Sequence, residues 1–318
     1  MLTQNIRRIN LPKQNILIAF LIFVIIGGGS SVAIRITYTE LDPFWVAASR
    51  LALGAFAFWI LVIYKRIPFP KGKALLGALI FGTLTIGLAY ILIAWGLVVT
   101  PAGLFQILMA LVPLITIFLA TFQGIEAITG RGIFGALLAL TGIAIAVGGA
   151  SSADLSLPHI AAIIIAAVIM AEGGVIIKKF PPTPPIMINA IGTTTGALIL
   201  STISIVIEEE WTLPTRTDTW IAFIYLIIFV TLIAFMLYIF VLNNWTASGT
   251  SYGFVLFPLV TVVLAAILAG ESITLNFIFG AAFVLTGVMF GAILPSKSKT
   301  DAIEECKERS GQVLPRCI

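Results

Sequence analysis

The chain has almost none of the side chains from which soluble enzymes assemble chemistry. It carries one histidine, His159, and two cysteines among 318 residues. A lone histidine excludes the HExxH zinc motif, and no Walker-type phosphate loop is present. Cys306 and Cys317 fall in a polar tail without a second ligand pair for zinc. Cys317 stands next to last, so the four-residue prenylation box is missing. Nothing implies a cofactor or a metal. Charge is scarce too: Lys, Arg, Asp and Glu make up 10% of the chain, against about 25% in soluble domains. An ordinary soluble domain is excluded, and nucleic-acid binding has no support.

Apolar residues fill the space. They make up 60% of the sequence, with a mean hydropathy of +1.13. Ten runs are long enough to cross a bilayer, which takes roughly 17 to 25 residues. They are 16–34, 43–64, 74–97, 101–123, 131–149, 158–177, 185–207, 219–242, 247–269 and 275–294. Only helices satisfy their own backbone groups in lipid, so the expectation is an all-α membrane protein with ten transmembrane helices. The first run follows Arg7, Arg8 and Lys13 and ends in GGGSSVA, a pattern shared with secretory leaders. Its length, and the need for a counterpart in the second half, read it as a span. Asp42-Pro43 and Thr100-Pro101 read as capped helix starts, with proline at the first helical position.

The sequence also repeats itself. Pro113 to Gly142 returns as Pro258 to Gly287 after a shift of 145 residues, with about 15 of 30 positions identical, including Glu126 with Glu271 and Thr141-Gly142 with Thr286-Gly287. Each copy reads as a helix, a turn with one carboxylate, and a second helix. Counting outward divides the chain into an N-terminal segment 1–15, a first repeat 16–150, a second repeat 158–294 and a tail 295–318.

Orientation follows from basic residues. If the N-terminus is cytoplasmic, 15 of the 18 Lys and Arg lie on that side or in the tail, Arg35 and Arg216 fall outside, and Arg50 lies within the second span. The positive-inside rule then sets both termini in the cytoplasm, and the compact loops suggest a bacterial or archaeal plasma membrane. Five spans per half is an odd number, so the halves are inserted upside down relative to one another. Two inverted five-helix repeats are the architecture of alternating-access carriers.

At this point the residues resemble a known family. Thr100-Pro101-Ala102-Gly103 and Thr246-Ala247-Ser248-Gly249, each followed by a helix with a central proline and then by Gly-Ile-Glu or Gly-Glu-Ser, are similar to the EamA-like repeat of the drug/metabolite transporter superfamily. The resemblance covers nearly all of residues 16–294, and Arg50 matches a basic residue often carried in the second helix. It implies a central cavity walled by helices 1 to 4 and 6 to 9, with helices 5 and 10 peripheral. It also implies transport, usually export, of small organic metabolites such as amino acids, with a small-molecule substrate and the lipid bilayer as partners.

Candidate residues are polar groups inside spans, which need partners or a function. Pro113 and Pro258 read either as tolerated kinks or as paired hinges. Glu126 and Glu271 read as interfacial, each three residues before a helix-capping threonine. Glu172 lies about 9 Å of helix from Lys178, either carrying protons or meeting a cationic substrate, or else reaching Lys178 or Lys179. Arg50 is a charge for pairing with an anionic substrate group or with helix-end carbonyls. Thr83, Tyr90, Trp95, Gln106, Asn189, Thr193, Tyr238, Ser251 and Tyr252 are the remaining cavity candidates. GxxxG faces at Gly192/Gly196 and Gly287/Gly291 read as packing seams, the latter also as a homodimer contact. The alternatives are an integral membrane enzyme acting on a lipid-borne substrate, disfavoured by the single histidine, and a channel, disfavoured by the apolar spans.

Overall fold

The structure is a computed structural model, and it describes residues 13–125, 130–148, 156–268, 274–288 and 290. The cysteines, Glu126, Glu271, Gly291, the segment 1–12 and the tail lie outside the described residues. The described residues form helices α1 (Lys13–Thr37), α2 (Pro43–Tyr64), α3 (Lys73–Gly96), α4 (Ala102–Phe122), α5 (Gly130–Gly148), α6 (Leu157–Lys179), α7 (Pro185–Val206), α8 (Thr217–Asn244), α9 (Ala247–Leu268) and α10 (Leu275–Val288), with no strand among them. Eight of these are long and apolar enough to cross a membrane, while the apolar parts of α5 and α10 are shorter. The protein is a multi-pass membrane protein.

Three long helix pairings organise the bundle: α2 along α7, α5 along α10, and α1 along α9. The α2–α7 pair is antiparallel. The Trp59 indole donates to the Thr194 hydroxyl at 2.9 Å, and the first amides of α2, Phe44 and Trp45, donate to Glu209 just beyond the far end of α7 at 3.0 and 2.6 Å. Asp42 therefore does not cap α2, as its sequence position suggested. Its carboxylate accepts from the Glu210 amide at 2.9 Å, and Glu209 takes over the amides that α2 cannot satisfy itself. Thr246 does cap α9, accepting from the Gly249 amide at 2.9 Å. The face of the bundle on which α1 begins is termed the near face, and the face on which it ends the far face.

The α5–α10 contact is reciprocal. A Cβ added at Gly142 would lie 2.5 Å from the Gly280 carbonyl, and one added at Gly287 would lie 2.4 Å from that of Gly135. The next contacts are Gly142 against Val284 and Gly287 against Ala139. Each pair becomes the other under the 145-residue shift. Gly287, read from sequence as a seam or a dimer contact, thus packs within the chain.

Two helices contain π-wound stretches. Gly82–Leu88 in α3 and Leu226–Ala234 in α8 are wound as π-helix. The 145-residue shift carries the first onto 227–233, inside the second. Widened turns leave backbone carbonyls without their usual partners, and π segments inside α-helices are frequent at functional sites. In α8 the Thr231 hydroxyl reaches back five residues to the Leu226 carbonyl at 2.9 Å. In α3 the π segment presses Gly82 onto α7, where a Cβ would stand 2.7 Å from the Gly192 Cα, so the small residues at both places are needed for the approach.

A candidate central cavity

A cavity of about 100 Å³ lies inside the bundle. Its walls come from α1 (Phe23, Ser30), α2 (Arg50), α3 (Phe81, Thr85, Tyr90), α4 (Gln106, Met109), α6 (Met170), α7 (Asn189), α8 (Tyr238) and α9 (Phe254, Phe257), among others. Among the described residues, neither α5 nor α10 contributes. Most of the wall is apolar, the usual composition of a small-molecule pocket with a few oriented polar groups.

The antiparallel register of α2 and α7 gives the cavity two ends. Arg50 lies about two turns into α2 from the far face, and Asn189 lies in the first turns of α7 from the near face. Gln106, early in α4 at the far face, donates to the Ser31 hydroxyl at 3.3 Å. Toward the near face the wall is an aromatic box. Phe23 meets Tyr238, Phe254 and Phe257 with ring centroids 5.7, 6.2 and 5.2 Å apart, and Phe81 lies stacked 6.5 Å from Tyr238. The cation lies toward the far end, and the near end is mainly aromatic, with Asn189 as its polar group.

Arg50 dominates the electrostatics. It is 2% exposed, and its guanidinium carbon sits 5.1 Å from the centre of the Tyr90 ring. That cation–π contact offsets part of its desolvation. Its Nε and one terminal nitrogen are buried without any hydrogen-bond partner. No acid among the described residues lines the cavity. The one ion pair among the described residues joins Arg216 to Asp218 at the exposed far face.

The remaining sequence candidates divide. Tyr90, Gln106, Asn189 and Tyr238 line the cavity with Arg50. Thr83, Trp95, Glu172, Thr193, Ser251 and Tyr252 lie outside that lining. Trp95 stacks on His159 at 4.2 Å. Thr193 donates to the Asn189 carbonyl at 2.6 Å, and Ser251 to that of Ser248 at 2.7 Å. Glu172 does not reach Lys178. Gln123 Nε2 donates to both of its carboxylate oxygens, at 3.0 and 2.7 Å, while Lys178 donates to the carbonyls of Leu242 and Trp245. Sequence reasoning missed Thr85, whose hydroxyl is buried and unpaired, and the phenylalanine box. An orphan threonine inside a span carries no mark that separates it from one bonded to its own helix.

The prolines are not equivalent. At Pro113 the helix breaks. Ala110 and Leu111 leave the α-helix, the Leu111 amide donates three residues back to Leu108 at 3.1 Å, and the next segment starts at Val112 with Pro113 second. Pro258 lies inside the unbroken stretch Gly253–Leu268, and the irregular residue of α9 is Tyr252, a turn and a half earlier. A missing amide is tolerated in both ways.

At the far face a clasp joins the α1–α2 turn to the α7–α8 connection. Glu40 accepts from the Thr215 amide and hydroxyl, Trp45 donates its indole to the Thr212 carbonyl at 2.8 Å, and Trp45 and Trp211 stack at 4.6 Å. The hydrogen bonds from Thr215 hold the Glu40 carboxyl well below its ordinary range, at about 2.

Comparison with known proteins agrees with this geometry. The family model for the EamA-like transporter family matches residues 14–148 and again 157–292. The uncharacterized transporter YoaV of Bacillus subtilis is 22% identical over 295 residues, covering 89% of this chain and 99% of its own length. An uncharacterized transporter of Archaeoglobus fulgidus is 24% identical over 267 residues, with 82% and 92% covered. The uncharacterized inner membrane transporter YedA of Escherichia coli K12 is 26% identical over 253 residues, with 79% and 81% covered. One solved crystal structure superposes with a TM-score of 0.70 at 16% identity, covering 89% of this chain and 98% of that one, which shows a shared fold.

Proposed function

The chain belongs to the EamA-like transporter family, and from that premise we propose that it is a secondary transporter exporting a small organic metabolite by alternating access between two inverted five-helix repeats. The observation that carries this reading is the cavity, because its described walls come from four helices of each half and from neither α5 nor α10. Such a site lies at the interface of the repeats, where carriers of this kind bind their solute. The reciprocal glycine contacts of α5 with α10 support the inversion. Gly142 opposite Gly280 and Gly135 opposite Gly287 run antiparallel, the pattern that a two-fold axis perpendicular to the two helices would produce. The paired π segments support it again, at matching heights of α3 and α8.

With both termini cytoplasmic, the near face is the cytoplasmic one, where Lys65, Lys71, Lys178 and Lys179 lie. The far-face clasp around Glu40 and Glu209 is then extracellular.

The test is a comparison of metabolites in the medium of cells with and without the protein, followed by flux of the solute that differs into proteoliposomes. A carrier gives flux that saturates with concentration. Linear flux would point to a channel, and a chemically altered solute to an enzyme.

A further inference from the structure

Arg50 is a buried charge that the protein itself answers only in part. An arginine stays protonated even when buried, and an ionised group held in a low-dielectric interior is costly unless paired and hydrogen-bonded. Arg50 has neither compensation in full. Tyr90 offers a ring face, but Nε and one terminal nitrogen find no acceptor. Glu209, the acid at the head of the same helix, is already taken by the amides of Phe44 and Trp45 and the hydroxyl of Ser204. The unpaired N–H groups belong to a side chain that lines the cavity. Resting on the transporter reading above, we propose that the cavity takes an organic monocarboxylate, its carboxylate on Arg50 and its apolar body among the rings of Phe23, Phe81, Tyr238 and Phe254.

Charge count sets the class. Arg50 is the one charged side chain among the described residues of the lining, so a monoanion leaves the loaded cavity neutral. A phosphate dianion would leave one negative charge in an apolar chamber. A zwitterionic amino acid would bring an ammonium with no carboxylate to meet it. Shape agrees with charge: a planar guanidinium with adjacent free N–H groups matches the two oxygens of a carboxylate, and the aromatic box at the other end takes an apolar ring or chain.

Four probes sharing one phenyl ring separate the alternatives: phenylacetate, the neutral 2-phenylethanol, the cationic phenethylamine and zwitterionic phenylalanine. Binding is read by the melting temperature of the purified full chain and of Arg50→Gln and Arg50→Lys. Phenylacetate is expected to raise the melting temperature of the parent more than the other three do. Its affinity should fall about 10–100-fold in Arg50→Gln, the range for losing a charged hydrogen-bond partner, and partly recover in Arg50→Lys. Without ligand, Arg50→Gln should melt at or above the parent, because an unpaired buried charge has been removed. The inference is overturned if the alcohol, amine or amino acid binds as well as phenylacetate, if phenylacetate gives no shift, if Arg50→Gln binds it equally, or if Arg50→Gln melts below the parent and so marks a structural cation. Failure of the transporter reading looks different: phenylacetate binds in an Arg50-dependent way, but no solute crosses in proteoliposomes.

Discussion

At the scale of single residues, burial without a partner marks function better than charge does. Glu172 was the carboxylate that sequence made most interesting, yet Gln123 donates to both of its oxygens and it lies outside the cavity lining. Glu172→Gln is therefore expected to transport within about twofold of the parent, with the same pH dependence. A flattened pH profile would return proton coupling to it. Glu40 makes a second prediction. Its carboxyl titrates at about 2 in the folded protein, below the about 4.3 of a free glutamate. A lowered value means its contribution is complete above the unfolded value and is lost as pH falls through the folded one. The Thr215 amide should keep its hydrogen-exchange protection factor from pH 7 to 5 and lose it as pH falls from about 4 toward 2. Protection already lost at pH 5 would contradict the Glu40–Thr215 contact.

The same residues show what a sequence can and cannot convey. Arg50, Tyr90, Gln106, Asn189 and Tyr238 were legible because polar groups are rare inside apolar spans. The 145-residue shift sets Ser251 on Gln106, but its hydroxyl is spent on Ser248. The aromatic box was not legible at all. A helix in lipid is apolar toward its neighbours and toward the bilayer alike, so a phenylalanine carries no signal of the side it faces. Trp95 illustrates this, standing beside the cavity face in sequence and on His159 in space.

At the scale of helices, the span positions were legible and their irregularities were not. Composition and length placed the apolar runs, but nothing in GTLTIGL or LIIFVTLIA announces a π-helix. The reciprocal α5–α10 seam yields a quantitative expectation. Gly142→Leu and Gly287→Leu each force a side chain into a neighbouring backbone, and overpacking of this kind costs about 1–3 kcal/mol. Related by the repeat, the two should lower the melting temperature by similar amounts. A loss confined to one of them would argue against the two-fold relation. The prolines should instead behave unequally. Pro113→Ala permits an amide where α4 now breaks, whereas Pro258→Ala alters a helix that is already continuous. Transport rate should fall at least about threefold in Pro113→Ala and less in Pro258→Ala. Unchanged transport in the double variant would remove the hinge from both.

At the scale of the whole molecule, a duplicated sequence and a family match over both copies meet in one chamber between the halves. Family membership names transport and leaves the solute to the cavity, whose described lining holds one cation, Arg50, and a cluster of aromatic rings. Counterflow tests the carrier reading most directly. Proteoliposomes containing the protein are loaded with an excess of the unlabelled solute found in the medium comparison, and uptake of the same solute in labelled form is followed from outside. A site open to one side at a time predicts transient accumulation of label above its outside concentration, driven by exit of the unlabelled solute. Label that rises only to equality, at a rate independent of the internal load, would contradict alternating access.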